Sequence, residues 1–272
     1  MLTRTITGVF FILLIVAGIY FNPTIALLLF TLITLLAIDE FYSLTKKSKN
    51  LKPLRFLGTL TAVSLMLILG LIIQNNIDVK MVFIPILLMF FTFIFEIYRK
   101  NDSPFINIAY TLLGIFYIVI PFAMLLHLGY YSQTNFSENY SYQLILGFFI
   151  LLWTNDTGAY LSGKYFGKHK LFERISPKKT WEGSIGGGIL TIILAYVLSI
   201  YFTNLTLTNW IVIGVLIAVF GDLGDLVESM LKRSLGVKDS GKLLPGHGGI
   251  LDRFDGLLLS VPFVYSYLQM IK

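Results

Sequence analysis

Two pairs of carboxylates stand in apolar segments near the end of the chain. Asp222 and Asp225 are three residues apart, and Asp252 and Asp255 repeat this spacing. On an α-helix, residues three or four apart lie on one face, so each pair presents its carboxylates side by side. Carboxylate oxygens are ligands that Mg²⁺ prefers. We therefore predict a metal site formed by these two helices.

An ionised side chain inside an apolar segment costs several kcal/mol unless it is paired or hydrated, so such acids are candidates for function. Asp156 stands in a similar position to the two pairs. Ion pairing is the alternative explanation, for instance between Asp252 and Arg253 or between Asp225 and Arg233. That alternative accounts easily for two acids but not for the whole group.

Two cationic, glycine-bearing loops accompany these acids, at about residues 163–183 and 231–249. Glycine-rich backbone can approach a polyanion closely, lysines neutralise it, and a helix N-terminus favours phosphate. The candidate phosphate-binding residues are Lys178, Lys179, Gly248 and Gly249. Carboxylates and cationic loops at a membrane surface predict phosphoryl or nucleotidyl transfer to a lipid.

The elements that position these residues are membrane helices. The chain has 272 residues, of which 56% are hydrophobic and 13% charged, about half the charged fraction of a typical soluble domain. This composition excludes a soluble, disordered or nucleic-acid-binding protein, and the absence of cysteine excludes disulfides and cysteine-based metal sites. We predict an all-α polytopic membrane protein with about nine spans. They lie near residues 5–21, 24–40, 57–74, 81–98, 105–127, 142–162, 184–203, 210–230 and 250–271.

The distribution of basic residues predicts the orientation of these spans. With nine spans, 18 of the 21 basic residues fall on one side and two on the other, and Arg253 lies inside the last span. Cytoplasmic loops carry the excess of Lys and Arg, so the N-terminus and both cationic loops are predicted to be cytoplasmic. Asp39, Glu40 and Glu96 lie at span ends, where side chains can reach the interface, and we expect mainly structural roles for them.

The stretch from Ser229 to Asp255 resembles the signature of phosphatidate cytidylyltransferases, the CDP-diacylglycerol synthases, at all 27 positions. The pattern is Ser-x2-Lys-Arg-x4-Lys-Asp-x-Gly-x3-Pro-x-His-Gly-Gly-x2-Asp-Arg-Phe-Asp. Asp156-x-Gly-Ala-Tyr and the segment from Ser176 to Gly183 also resemble that family. The resemblance is strong over about residues 150–260 and generic in the first 140 residues.

The resemblance implies the reaction of CTP with phosphatidate to give CDP-diacylglycerol and pyrophosphate, with Mg²⁺. The metal ligands that it implies, with Asp156 as an addition, are Asp225, Asp252, Asp255 and Asp156. The expected catalytic residues are Lys232, Arg233, Lys238, Asp239, His247 and Ser229. Lys232, Arg233 and Lys238 would neutralise the phosphates, Asp239 would orient a lysine or bind metal, and His247 would contact phosphate or act as an acid or base. Lys178 and Lys179 are expected to bind the nucleotide or the lipid phosphate. Asp222 is not carried over, because the family motif is anchored on Asp225.

We expect residues 1–140 to form about five N-terminal spans and residues 141–272 to form the catalytic region. The expected partners are CTP, phosphatidate and membrane lipid, with a homodimer as an option and no nucleic acid, in the inner or plasma membrane. A transporter or channel is a competing reading, but its acids would lie near mid-span. A lipid kinase that uses a nucleoside triphosphate is a second alternative.

Overall fold

The computed structural model describes residues 2–46, 51–131, 140–241 and 248–271. Within these ranges the chain forms nine α-helices and one β-hairpin, which confirms the all-α membrane class and adds a small sheet. The helices are α1 Leu2–Phe21, α2 Pro23–Thr45, α3 Arg55–Ile73, α4 Phe83–Ile97, α5 Pro104–Leu128, α6 Tyr142–Phe166, α7 Trp181–Tyr201, α8 Leu207–Ser234 and α9 Leu251–Met270. The strands are β1 Lys170–Phe172 and β2 Ser176–Thr180.

Seven of the helices in the described ranges are long and apolar enough to cross a membrane, α4 being counted together with the 3₁₀ turn that precedes it. In α1 the apolar segment Ile6–Phe21 is shorter than these seven helices and is not counted among them. Helix α9 opens on Asp252, Arg253 and Asp255, which lower its mean hydropathy. The protein is therefore a multi-pass membrane protein, whereas the count of nine crossings and the orientation stay predictions.

The described chain divides into two compact units. The first unit comprises Met1–His127 and Ser234–Arg253, so the end of the second cationic loop belongs to it. Its core includes α2, where Tyr42 is fully buried and donates a 2.7 Å hydrogen bond to the carbonyl of Thr111 in α5. The predicted boundary at residue 140, between the N-terminal spans and the catalytic region, is a functional one that these two units do not test, and it stays a prediction.

Two of the acids expected to be structural, Asp39 and Glu96, have hydrogen-bond partners within the first unit. Asp39 receives two parallel 2.7 Å hydrogen bonds from the guanidinium of Arg55, a bidentate geometry that strengthens the pair. Glu96 is buried rather than extended to the interface, and it accepts 2.7 Å hydrogen bonds from Arg99 and Asn107. Both acids therefore join helix ends within this unit.

The second unit comprises Leu128–Arg233 and Phe254–Lys272, and α6 packs closely on α7 within it. A Cβ atom added at Gly187 would lie 2.7 Å from the carbonyl oxygen of Asn155, and one added at Gly158 would lie 3.0 Å from the Gly187 Cα atom. Small residues of this kind let membrane helices approach closely. Gly158 and Gly187 therefore allow α6 and α7 to pack closely.

The hairpin of β1 and β2 fills the first cationic loop, where the sequence indicated only a loop. Its strands are antiparallel, with Lys170 opposite Thr180. Thr180 caps α7 by accepting a hydrogen bond from the Gly183 N–H. Glu182, in the first turn of α7, accepts a 3.0 Å hydrogen bond from the Lys168 N–H. The hairpin is thus tied to the start of α7, and β2 presents its lysines there.

Candidate active site

A polar cavity of about 330 Å³ lies within the second unit. Residues of α6, β2, α7 and α8 line it, so the first cationic loop and its flanking helices meet the carboxylates of α8 there. Its charged lining residues are Asp156, Lys164, Lys178, Lys179, Asp222 and Asp225. The first cationic loop and the first carboxylate pair, both singled out from the sequence, therefore face the same space.

Lys179 lies between the two carboxylates of α8. Its Nζ atom is 2.6 Å from Asp225 Oδ2 and 3.1 Å from Asp222 Oδ1. Burial disfavours the charged amine, but the attraction of Asp225 and Asp222 outweighs it, so the pKa of Lys179 lies above its ordinary value. The amine therefore stays protonated at neutral pH and carries a fixed positive charge into the cavity.

Asp222 belongs to this site although the family motif gave no reason to include it. It is 6% exposed, and its Oδ2 atom is buried without a hydrogen-bond partner among the described residues. Its carbonyl oxygen also accepts a 3.1 Å hydrogen bond from Lys179. Its spacing of three residues from Asp225 had already placed it in the predicted carboxylate pair on one helix face, so the structure agrees with the spacing and not with the family motif.

Asp255 comes close to this group where α9 crosses α8. The two helices are very close at this crossing, since a Cβ atom added at Gly224 would lie only 2.9 Å from the Gly256 Cα atom. Glycine at both positions allows this approach. Asp255 interacts electrostatically with Asp225, Glu228 and Asp156. The predicted metal ligands of the second unit, Asp156, Asp225 and Asp255, are thus electrostatic neighbours.

Lys232, which was expected to neutralise a phosphate, is paired within its own helix. Its Nζ atom lies 2.6 Å from Glu228 Oε2, and both side chains are largely buried. The pair has the i,i+4 spacing that stabilises helices. Ser229 is half-buried and Arg233 is exposed on the same helix end. The role of these three residues in the reaction stays a prediction.

Asp252 lies in the first unit and holds together the end of the second cationic loop, at about residues 231–249, which we call the signature loop. Its Oδ2 atom accepts hydrogen bonds from the backbone N–H of Ser240 at 3.1 Å, the Ser240 hydroxyl at 2.8 Å and the Gly249 N–H at 2.9 Å. These contacts tie the loop to the first turn of α9. Asp252 therefore has a structural function in the loop besides its predicted role as a metal ligand, which stays untested.

Glu40 joins this arrangement from α2, about 200 residues earlier in the chain. Its carboxylate accepts a hydrogen bond from the Ser240 hydroxyl and a 2.7 Å bond from the Ile250 N–H. A Cβ atom added at Gly249 would collide with the Glu40 carboxylate and the Ser240 hydroxyl, so a side chain there would displace both groups. These contacts fit the structural role expected of Glu40, although its position at a span end did not indicate which loop it contacts.

The other predicted site residues of the second loop are exposed or undescribed. Lys238 and Asp239 are exposed. His247 lies outside the described residues. Gly248 adopts a φ of +81°, a left-handed conformation that favours glycine, immediately before Gly249 and the start of α9.

The donor chemistry of the polar cavity fits a hard divalent cation. In the described part of the chain, no group of three or more acidic or histidine side chains is already arranged around an ion position. Three carboxylates nevertheless line one cavity, and a buried oxygen of Asp222 has no hydrogen-bond partner there. Such oxygen donors are what Mg²⁺ takes, usually together with substrate phosphates and water.

Comparison with known proteins identifies the class of enzyme to which the chain belongs. Residues 2–271 match the model of the cytidylyltransferase family, so the chain belongs to that family and is a nucleotidyltransferase. The chain is also 35% identical to proteins named phosphatidate cytidylyltransferase from Staphylococcus haemolyticus and Staphylococcus aureus, over 97% of both chains in each comparison. A relative of the same name from Staphylococcus saprophyticus is 35% identical over the full length of both chains.

Proposed function

We propose that this protein is a phosphatidate cytidylyltransferase that converts CTP and phosphatidate into CDP-diacylglycerol and pyrophosphate. The observation that carries the proposal is the polar cavity, in which Lys178 and Lys179 face the carboxylates of Asp156, Asp222 and Asp225. Family membership and the names of the relatives supply the reaction class. The cavity supplies the charges that the reaction of two polyanions requires.

The reaction joins a phosphate oxygen of phosphatidate to the α-phosphorus of CTP. The bond between the α-phosphorus and the bridging oxygen to the β-phosphorus breaks, and its electron pair leaves with pyrophosphate. Both substrates are anionic, so the protein must bring two negatively charged groups together. Positioning and charge neutralisation therefore account for most of the catalysis.

Lysines of β2 provide the first part of this neutralisation. Lys179 carries a fixed positive charge next to α8, and Lys178 is exposed at the same cavity. Phosphate oxygens that enter the cavity can take Lys179 as a partner in place of a carboxylate. The ion pairs with Asp222 and Asp225 hold the amine in position before the substrates arrive.

Acids of α6, α8 and α9 provide the second part. We propose that Asp156, Asp225 and Asp255 hold Mg²⁺, with Asp252 as a further predicted ligand. Bound Mg²⁺ would neutralise charge on the triphosphate and polarise its phosphorus–oxygen bonds. Without a bound cation these carboxylates would repel the anionic substrates, so we expect substrate binding to depend on the metal.

We further propose that the site faces the cytoplasm, where CTP is available, in the inner or plasma membrane. The proposal rests on the 18 basic residues that the span order places on one side, including both cationic loops. Asp222 and Asp225 lie in the half of α8 that leads to the second cationic loop, and Lys179 of β2 pairs with both of them.

The test is a product assay on the purified protein in detergent with CTP, phosphatidate and MgCl₂. We expect CDP-diacylglycerol and pyrophosphate in equal amounts, and the activity should disappear when EDTA removes the divalent cation. Lys179→Ala should abolish the activity, and Lys170→Ala, which changes an exposed lysine of β1, should not. Full activity of the Lys179→Ala protein would contradict the proposed site, whereas activity in EDTA would contradict only the metal.

A further inference from the structure

A second cavity of the second unit lies between α7 and α8, beside the hairpin, and has a volume of about 410 Å³. We call it the apolar groove. Most of its lining is hydrophobic, and several of these side chains are more than one-third exposed, so the groove is open at the surface. Its apolar lining includes Phe172, Ile185, Ile189, Ile192, Val215 and Val219.

The apolar groove adjoins the polar cavity. Ser184 and Asp222 line both spaces, which places them at the boundary between a charged site and an apolar one. On the α7 side the groove extends from Trp181 to Ile192, which is about 17 Å at 1.5 Å per residue. One leaflet of the hydrocarbon core is about 15 Å thick, so the groove has the length of an extended acyl chain segment.

We propose that the apolar groove binds an acyl chain of the phosphatidate substrate while the lipid phosphate lies in the polar cavity. The inference rests on the proposed function, because it assigns the hydrophobic part of the same substrate. A phosphatidate molecule has its phosphate and its acyl chains only a few bonds apart. Adjacent polar and apolar spaces with a shared border match that arrangement.

Binding of an acyl chain in the groove aligns the phosphatidate for reaction rather than raising the affinity of the protein for the lipid. The bilayer interior is as apolar as the groove, so moving a chain from lipid into the groove gains little hydrophobic free energy. A chain held between α7 and α8 instead fixes the direction from which its phosphate enters the polar cavity. Misplacement of a reacting group by about 1 Å can reduce a rate about 100-fold, so this alignment affects turnover.

Gly188 forms part of the floor of the groove. A Cβ atom added there would lie 3.5 Å from the Cβ atom of Ala218, an ordinary contact that α7 and α8 can accept. Because Gly188 and Ala218 both line the groove, a larger side chain at position 188 should occupy part of its volume. Gly188→Leu is the test variant, and Ile200→Phe is the matched control, because Ile200 is exposed on α7 outside the groove.

The experiment compares dioleoyl phosphatidate with dihexanoyl phosphatidate, which has the same headgroup and short chains. For Gly188→Leu we expect kcat/KM to fall about tenfold with the dioleoyl substrate and to change less than twofold with the dihexanoyl substrate. Ile200→Phe should leave both values unchanged. An equal fall with both substrates, or no fall with either, would overturn the assignment of the groove.

A direct binding measurement covers the case in which Gly188→Leu does not fold. Phosphatidate with a photoreactive group on one acyl chain, added to the unsubstituted protein, should label peptides of α7 and α8 that line the groove. Labelling confined to other helices would overturn the inference. If the unsubstituted protein made no liponucleotide from either substrate, the proposed function would fail, and the labelling would still report whether the groove holds an acyl chain.

Discussion

Glu40→Ala is the substitution that separates a role in the reaction from a role in folding. Glu40 receives hydrogen bonds from the Ser240 hydroxyl and the Ile250 N–H, both of which belong to buried residues. Hydrogen bonds to charged groups contribute about 1.5–3 kcal/mol each. Removing both should therefore weaken the attachment of the signature loop to α2 by about 3 kcal/mol.

The expected consequence is a loop that leaves its bound position more often. About 1.4 kcal/mol corresponds to a tenfold change in an equilibrium constant, so the loop equilibrium shifts more than 100-fold. We expect kcat per folded molecule to fall at least about tenfold. Glu40→Gln should recover much of the loss, because an amide can accept from the Ile250 N–H and donate to the Ser240 hydroxyl.

Glu96→Ala is the matched control. Glu96 is also a buried carboxylate of the first unit and accepts hydrogen bonds from Arg99 and Asn107. Thermal unfolding in detergent should show a lower Tm for both variants, whereas turnover per folded molecule should fall only in Glu40→Ala. Equal turnover in the two variants would refute the reasoning, because Glu40 would then be a stabilising residue like Glu96.

Three further predictions concern the second unit. Asp222→Asn should reduce cytidylyl transfer at least about tenfold in the product assay, although Asp222 lies outside the family motif; unchanged turnover would remove it from the site. Because the pKa of Lys179 is raised, its ion pairs should stabilise the protein up to about pH 10.5 and be lost only as the pH rises further; a Lys179-dependent loss of Tm between pH 7 and 9 would contradict this. Gly187→Leu should destabilise the protein by about 1–3 kcal/mol, because the new side chain would meet the backbone of α6, and thermal unfolding that matches the unsubstituted protein would contradict that packing.

The helices could be predicted from the sequence because apolar runs of sufficient length have few other structures available in a membrane. Each predicted run corresponds to a helix in the described ranges. The hairpin of β1 and β2 could not be predicted, since its strands have only three and five residues and β2, Ser-Pro-Lys-Lys-Thr, has no alternation of hydrophobic and polar residues. Its position depends on tertiary contacts such as the bond from the Lys168 N–H to Glu182.

The candidate site was predictable only to the extent that local spacing defines it. The i,i+3 spacing identified Asp225 and its helix face, and the lysines of β2 were identified by the charge of their loop. The pairing of Lys179 with Asp222 was not predictable, because 43 residues separate them and no periodicity links a strand to a helix. The partners of Glu40 were not predictable for the same reason, since they come about 200 residues later in the chain.

The most direct test of the proposed reaction follows the two ends of the CTP triphosphate. The purified protein is supplied with phosphatidate and with CTP labelled with ³²P at either the α or the γ position. We predict that the α label enters the lipid as CDP-diacylglycerol and that the γ label leaves as pyrophosphate. Transfer of the γ label to the lipid would identify a lipid kinase, and it would contradict the account of this site as a cytidylyltransferase.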